Sequence, residues 1–479
     1  MRILLIRPPV PRHTMGLKHI MVCEPLELEY VAAGLAGHEV EIVDMILERG
    51  LGRRLRRFNP DVVGTGAYIA GVNEAIKVCR AVKRWNPRCF TVVGGVHAAL
   101  VPEDFSDAAV DCIVQCDGTS VMPELIEALG AGRPLREVRG LALPRPGGGV
   151  ASTGSRPYMP DPDSLPLPRR DLVAHIRHRY HYLLHRPVAT VKTTWGCRHR
   201  CRFCFTWRIT GGTLFSRGPE SIVDELSRIE AEEIYIVDDN FFDDPDRLSK
   251  IARLLRARGI RKKYLVFGRA DFIAEHEEII AEWAALGLCA VLVGLEASTD
   301  AELVSMGKTT SVDCNRRAVD VLRRHRVDIY ASLIPRPDYA PADWARLQAL
   351  IEDSGLYYLN ISPLTPLPGT LIWDEWKDRI AVSRRAHGLW DLCHCVLPTR
   401  MPLKDYYRAL LGVYVRSILD WRRADRLALR PRPPFWSLAS LRLWMGAARI
   451  MFQFLNAHRH HGPRPLARAM SRGPDACRR

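Results

Sequence analysis

Three cysteines in one short segment are the residues of this sequence that are most clearly suited to metal chemistry. Cys197, Cys201 and Cys204 lie within eight residues of one another, so one tight loop can bring their thiolates together. Three thiolates can hold three corners of a cubane iron–sulfur cluster, and with no fourth cysteine nearby one iron stays open to a ligand. A zinc site and chance clustering are the alternatives, although structural zinc sites normally have four ligands and His199 is not at a helical ligand spacing.

The segments around this loop alternate between strand and helix patterns. Six strand candidates precede or separate helical patterns, at Ala189–Thr194, Glu233–Asp238, Tyr264–Phe267, Ala290–Leu295, Asp328–Leu333 and Tyr358–Ser362. This alternation predicts an α/β fold, a partial (β/α)6 barrel whose active site lies at the carboxyl ends of its strands. An open doubly wound sheet is the competing topology. In either case the cysteine loop directly follows the first strand.

The spacing Cx3Cx2C, with the aromatic Phe203 before the last cysteine, resembles the radical S-adenosylmethionine (SAM) superfamily. In that family the open iron chelates SAM, whose reductive cleavage gives a 5′-deoxyadenosyl radical that removes hydrogen from an unactivated carbon. The resemblance implies that Cys197, Cys201 and Cys204 bind the metal cluster and that cofactor-binding residues follow the next strands. Those residues are Phe203, Asp238, Asp239, Arg269, Gly294 and Glu296.

The first 140 residues show a second alternating pattern, which predicts a doubly wound, Rossmann-like sheet. Its first strand with Pro8-Pro9, the turn at Gly94–His97 and the turn before Gly118 resemble the cobalamin-binding module that precedes the radical SAM barrel in one large subfamily. The resemblance places five residues near the corrin: Tyr68, Gly94, Gly95, His97 and Gly118.

The well-known Asp-x-His-x-x-Gly signature is absent from this module, so we assign no residue as the cobalt ligand. A Rossmann-like domain for a nucleotide is the alternative. Against it, neither a Gly-x-Gly-x-x-Gly motif after the first strand nor a Gly-x4-Gly-Lys-Ser/Thr motif occurs.

Together the two modules imply a C-methyltransferase that uses a [4Fe–4S] cluster, SAM and cobalamin. It would transfer a methyl group from methylcobalamin to an unactivated carbon, with electrons from a donor such as flavodoxin or ferredoxin. The alternative keeps these cofactors but cyclises or oxidises its substrate without methyl transfer, as in the anaerobic porphyrin-ring cyclases of the same subfamily.

Four segments from the barrel onward resemble the hopanoid ring-A methylases: Ile236–Asn240, Gly268–Asp271, Asn360–Thr370 and His394–Leu403. The resemblance implies a small-molecule or lipid substrate, in particular a polycyclic lipid. A C-terminal apolar and basic segment would suit such a substrate by resting on an anionic membrane surface. Packing of this segment as an ordinary core helix is the alternative. Its apolar residues are Trp436, Leu438, Leu441, Trp444, Met445, Met451 and Phe452.

Length and composition predict the domains. With 479 residues, about three domains are expected. We predict a cobalamin-binding domain at 1–140, a Pro/Gly-rich linker at 141–185, the radical SAM partial barrel at 186–380 and a helical basic region at 381–479.

The 13 cysteines lack the pattern of a secreted disulfide framework. The longest uncharged apolar run, Trp283–Leu295, is too short to span a bilayer. We therefore expect a cytoplasmic protein, which would contact the inner membrane face at its periphery through the C-terminal segment.

The net charge of +15 raises a third hypothesis, a nucleic-acid-modifying protein. A tRNA methylthiotransferase needs a second cysteine triplet, which the dispersed cysteines ahead of the barrel do not supply, so we predict no nucleic-acid partner.

Overall fold

The computed structural model describes residues 1–15, 20–159, 161–419 and 438–461, which fall into two compact units. The first unit comprises Met1–His199, Thr206–Phe267 and Ala285–Leu288. The second comprises Arg200–Phe205, Gly268–Ala284 and the chain from Cys289 onward. No helix among the described residues is long and apolar enough to cross a membrane.

The first unit opens with a seven-stranded sheet, whose strands follow the order β3 (Glu39–Asp44), β1 (Arg2–Arg7), β4 (Val62–Gly66), β5 (Phe90–Gly94), β6 (Cys112–Val114), β7 (Leu141–Pro144) and β8 (Val150–Ser152). Its first five strands are parallel and its last two pair antiparallel. The strand order reverses between β1 and β4, and open α/β sheets bind ligands beyond the carboxyl ends of the strands at such a point. The short strand β2 (Met21–Val22) lies outside this sheet.

Five helices accompany this sheet, which confirms the predicted doubly wound class. They are α1 (Leu26–Gly34), α2 (Leu51–Phe58), α3 (Val72–Trp85), α4 (Val96–Leu100) and α5 (Gly118–Gly130). The apolar strand residues Leu4 and Val63 are fully buried in one core cluster with Phe58 and Val82. Burial on both faces explains why these strands are apolar runs rather than alternating patterns. Short 3₁₀ helices at Ile69–Gly71, Pro102–Phe105 and Leu135–Glu137 complete the layer.

Residues 141–152 differ from the predicted linker, because they form β7 and β8 at the edge of the sheet. The turn between these strands contains Gly147, Gly148 and Gly149, with φ of 89°, 104° and 78°. These angles favour glycine, so the Gly-rich run builds a hairpin rather than an unstructured connection. The chain continues through 3₁₀ helices at Pro162–Ser164 and Arg170–Arg179 to β9 (His181–Tyr182), which pairs antiparallel with β2.

The barrel strands form at all six predicted positions. In the first unit β10 (Val188–Val191), β13 (Glu233–Ile236) and β14 (Lys263–Gly268) pair in parallel, and β11 (Thr194–Trp195) pairs antiparallel with β12 (Phe215–Ser216). In the second unit β15 (Leu288–Glu296), β16 (Asp328–Leu333) and β17 (Tyr358–Ile361) pair in parallel. The intervening helices are α6 (Thr206–Ile209), α7 (Pro219–Arg228), α8 (Pro245–Ala257), α9 (Ala270–Glu275), α10 (Glu277–Leu286), α11 (Asp300–Ser305), α12 (Val312–Arg324) and α13 (Pro341–Asp353).

The second unit ends with a helical region, as predicted. It contains α14 (Leu371–Trp376), α15 (Leu403–Leu419) and α16 (Leu438–Asn456), with 3₁₀ helices at Lys377–Arg379, His387–Leu389 and Ala457–His461. The ring of Phe454 lies 6.4 Å from the ring of Tyr407 and 5.9 Å from that of Tyr414. One face of α16 therefore packs on α15 as core.

Candidate functional site

The cysteine loop begins at a position that requires glycine. Gly196 has φ of 89°, and a β carbon there would lie 2.4 Å from the carbonyl oxygen of Thr213. No side chain fits so close to backbone, and the conformation itself disfavours one. The turn from β11 into Cys197 is therefore fixed by the local geometry.

The second half of the loop is held by backbone hydrogen bonds on both sides. The amide of Arg202 donates to the carbonyl of Met306 at 2.9 Å, and the amide of Ile372 donates to the carbonyl of Arg202 at 3.2 Å. The amide of Cys204 donates to the carbonyl of Cys201 at 3.2 Å. Cys201 is buried and Cys204 half-buried, so this part of the loop is preorganised before any ligand arrives.

Two adjacent aspartates follow β13 in different environments. The carboxylate of Asp238 is fully buried and accepts hydrogen bonds from the amides of Thr193 (2.6 Å) and Thr194 (3.0 Å) and from the Thr193 hydroxyl. Burial raises the pKa of Asp238 despite these bonds. Asp239 is one-third exposed, pairs with the ammonium of Lys192 at 3.6 Å and accepts a hydrogen bond from the Thr206 hydroxyl at 3.2 Å. Asp238 thus holds the strand before the cysteine loop, whereas Asp239 keeps an accessible face.

Arg269, after β14, is buried and held by hydrogen bonds to neighbouring side chains. Its Nε and Nη2 donate to the carboxylate of Asp271, and Nη2 also donates to the Thr309 hydroxyl at 3.0 Å. Its Nη1 donates to the Sγ of Cys201 at 3.7 Å. One of the predicted cofactor-binding residues therefore contacts one of the predicted cluster ligands directly.

The end of β15 carries a buried ion pair at a bulge. The Nζ of Lys308 lies 3.1 Å from Oε1 of Glu296 and donates to the carbonyl of Gly294 at 2.9 Å. A β carbon on Gly294 would lie 2.3 Å from Oε1 of Glu296, so glycine leaves room for this pair. The other oxygen, Oε2, is buried and has no hydrogen-bond partner among the described residues. An acceptor in this state fits a cationic group of a ligand, since buried polar atoms are nearly always satisfied.

Phe203 lies in the loop between Cys201 and Cys204, and its side chain packs against apolar residues of the second unit. Its ring contacts a cluster of buried residues that includes Leu303 and Met306. The aromatic residue therefore anchors the loop by apolar contact.

Tyr68 follows β4 at the switch point of the N-terminal sheet. Its side chain is 68% exposed. Desolvation by the surrounding protein raises the pKa of its hydroxyl to about 12, and the charges of Glu27 and Asp239 add to this shift. Because the charge of Asp239 acts on this hydroxyl, the carboxyl edge of the N-terminal sheet lies near the end of β13 within the first unit.

Tyr158 lies near Tyr68 and Asp239 in the same unit. Burial raises its pKa, and the charges of Asp117, Asp239 and Tyr68 contribute. Tyr158 lies in the segment predicted as a linker, and no motif marked it. Asp117 sits in the turn before Gly118, where its carboxylate accepts a hydrogen bond from the amide of Ser120 as the N-cap of α5.

His97 is buried and paired with an acidic side chain of its own domain. It is 3% exposed, and its Nε2 lies 2.8 Å from the carboxylate of Asp104. Its ring also meets that of Phe105 edge to face at 6.0 Å. These contacts hold α4 against the following 3₁₀ helix.

The three predicted glycines of this domain serve different packing needs. Gly95 has φ of 97°, and a β carbon there would lie 3.0 Å from the amide nitrogen of Ala67. A β carbon on Gly118 would lie 3.3 Å from Cγ2 of Val31, which brings α5 close to α1. At Gly94 the nearest atom would be at 3.7 Å, an ordinary contact. Gly95 is therefore the position at which the loops after β4 and β5 require a close approach.

Comparison with known proteins agrees with this arrangement. Residues 13–126 match the family model of the B12 binding domain, and residues 191–347 match that of the radical SAM superfamily. Hopanoid C-3 methylase of Methylococcus capsulatus is 31% identical over 431 residues, which cover 86% of this chain and 81% of that protein. Anaerobic magnesium-protoporphyrin IX monomethyl ester cyclase of Rubrivivax gelatinosus is 25% identical over 404 residues, 80% of this chain and 71% of that protein.

A solved structure shows the same fold. The cobalamin-dependent SAM radical enzyme OxsB, with aqua-cobalamin and SAM bound, superposes with a TM-score of 0.70 at 15% identity, over 89% of this chain and 70% of that one. The cofactors of the present protein are cobalamin, SAM and a [4Fe–4S] cluster. The order of the two domains, the shared fold and the long match to a methylase lead to one conclusion: the chain belongs to the cobalamin-dependent radical SAM methyltransferases.

Proposed function

We propose that this methyltransferase acts on an unactivated carbon of a polycyclic lipid of the hopanoid type. The observation that carries this proposal is the 31% identity to a hopanoid C-3 methylase across 81% of that protein's length. The match covers 86% of this chain, which is more than the two segments that match the cofactor-binding family models.

We propose that Cys197, Cys201 and Cys204 hold the cluster, because three thiolates on one pinned loop are the donor set it needs. The free carboxylate oxygen of Glu296 fits the ammonium group of SAM, and Lys308 balances the charge of the other oxygen. When bound, the cluster and SAM supply the radical that removes hydrogen, and cobalamin supplies the methyl group. An electron donor such as flavodoxin or ferredoxin would deliver the required electron.

For cobalamin, we propose the switch point between β1 and β4 as the site. Tyr68 is accessible there, and Gly95 keeps the neighbouring loop clear of side chains. Asp239 and Tyr158 lie close enough to Tyr68 to affect its charge state or to be affected by it, so they would line the same space. His97 would shape this site by holding α4, and it would not reach the metal because Asp104 holds its ring inside.

The C-terminal helix α16 supports a lipid substrate. Leu441, Met445, Phe452 and Leu455 are 48–66% exposed, and their spacing places them on one helical face. The sequence from 416 to 479 contains 14 arginines, 3 aspartates, and neither lysine nor glutamate. An apolar stripe within a strongly basic segment fits the surface of an anionic bilayer. Trp436 lies outside the described residues, as does the side chain of Leu438, whereas Trp444 and Met451 are half-buried.

The test of methyl transfer uses anaerobically reconstituted full-length protein with SAM that carries a deuterated methyl group, a hopanoid and a chemical reductant. We expect the label in the lipid product. A changed lipid without the label would instead favour the cyclase-type alternative. Cys201→Ala is expected to abolish turnover, and the matched control Cys314→Ala, a buried cysteine outside the loop, is expected to retain it.

The test of membrane contact uses co-sedimentation with vesicles of phosphatidylglycerol or of phosphatidylcholine. Phe452→Gln removes an apolar side chain whose insertion is worth about 2 kcal/mol, so we expect binding to the anionic vesicles to fall at least about tenfold. Val304→Gln is the control, because Val304 is also apolar and 72% exposed but lies on α11. Equal loss in both variants would contradict a specific role of the α16 stripe.

A further inference from the structure

Arg269 touches a cysteine thiol while its own position is fixed by two other groups. Asp271 binds its Nε and Nη2, with 3.0 Å between Nε and Oδ1, and the Thr309 hydroxyl accepts from Nη2 at 3.0 Å. The remaining arm, Nη1, points at the Sγ of Cys201 across 3.7 Å. The side chain of Arg269 is 9% exposed, so water screens this contact little.

We propose that Arg269 sets the reduction potential of the iron–sulfur cluster by donating an N–H···S hydrogen bond to Cys201. This inference rests on the proposed role of Cys201 as a cluster ligand. Reduction adds one electron and one negative charge to the cluster and its thiolates, and a hydrogen bond to a ligand sulfur is stronger when that sulfur carries more charge. Arg269 therefore stabilises the reduced cluster more than the oxidised one.

Asp271 and Thr309 act as positioning residues for this donor. A guanidinium presents its N–H groups in a rigid fork, so fixing two arms also fixes the direction of the third. The negative charge of Asp271 opposes cluster reduction through space, whereas its hold on Arg269 favours it. The two effects have opposite signs, and substitution of Asp271 separates them.

The experiment measures the fraction of reduced cluster by electron paramagnetic resonance in full-length protein, poised at fixed potentials with titanium(III) citrate. For Arg269→Gln we expect the ratio of reduced to oxidised cluster to fall about tenfold, which is about 59 mV for a one-electron couple. Arg269→Lys keeps the charge but loses the fork, and we expect a fall in the same direction. Arg336→Gln is the matched control, because Arg336 also donates to an aspartate two residues later. Its Nε lies 3.0 Å from Oδ1 of Asp338, and its Nη2 lies 2.9 Å from Oδ2. We expect it to leave the ratio unchanged.

Iron and sulfide content is measured first, which separates failure of this inference from failure of the proposed function. A parent protein without iron would refute the cluster assignment itself. With the cluster present, an unchanged ratio in Arg269→Gln would overturn the inference. If Arg269→Gln does not retain the cluster, Asp271→Asn decides. A lower ratio supports the positioned hydrogen bond, and an equal or higher ratio refutes it.

Discussion

Asp238 and Asp239 are neighbours in sequence with different tasks, and replacing each with alanine separates them. Asp238→Ala removes the acceptor of two buried amides, those of Thr193 and Thr194. A buried N–H without a partner costs about 1–3 kcal/mol, so the two together cost about 2–6 kcal/mol. A domain of about 150–250 residues loses about 2–4 °C in melting temperature for each kcal/mol of lost stability. We expect the transition measured by calorimetry to fall by about 10 °C, together with the iron content after reconstitution, since Cys197 follows closely.

Asp239→Ala is the internal control for this experiment. Its partner Lys192 is 3.6 Å away at a partly exposed site, and such pairs contribute about 1 kcal/mol or less. For Asp239→Ala we expect a nearly unchanged melting temperature and weaker binding of cobalamin. Asp238→Asn keeps the shape and one acceptor oxygen, so its loss of stability should lie between the two. Equal melting temperatures for Asp238→Ala and the parent protein would refute the assignment of Asp238 to the scaffold.

Three further substitutions test the geometry of the site and its pH dependence. Gly294→Ala puts a β carbon 2.3 Å from the carboxylate of Glu296, and we expect SAM affinity, measured by calorimetry, to fall at least about tenfold if that carboxylate binds it. Gly95→Ala meets the Ala67 backbone at 3.0 Å with φ of 97°, which we expect to cost about 1–3 kcal/mol and to weaken cobalamin binding in an absorbance titration. Desolvation raises the pKa of Glu29 to about 8, from 4.5, so its contribution to stability is present below about pH 4.5 and is lost as the pH rises to about 8. Glu29→Gln should therefore gain melting temperature relative to the parent across that window, and a constant difference would contradict the shifted pKa.

The strands and the cysteine loop could be predicted from sequence because each rests on a local pattern. Buried parallel strands require apolar runs, and Cys197, Cys201 and Cys204 show their shared chemistry by spacing. The different roles of Asp238 and Asp239 could not be predicted, because both belong to the same segment, Ile236–Asn240, and the resemblance implies the same role for each. Successive side chains of an extended segment point to opposite sides, so one of the two must face inward, but the sequence does not say which.

Composition also failed to distinguish a linker from a hairpin. Runs of glycine and proline are typical of both, because each needs backbone conformations that other residues avoid. At Gly147–Gly149 the three positive φ angles close a turn between β7 and β8. The deciding factor is the pairing of Leu141 with Val114, a contact to a strand far from the turn in sequence.

The position of the N-terminal domain against the first barrel strand depends on contacts that no sequence motif records. Arg170 is buried and reaches Glu24 (2.7 Å), Glu225 (2.6 Å) and the carbonyl of Thr190 (2.6 Å). Glu24 in turn accepts a hydrogen bond from the amide of Thr190 at 2.9 Å. Removing one partner of such a buried pair costs about 3–5 kcal/mol, because it leaves the other charge uncompensated. The network thus ties the segment before α1 to β10, the strand that leads to Cys197, and so fixes the cobalamin-binding domain relative to the start of the cysteine loop.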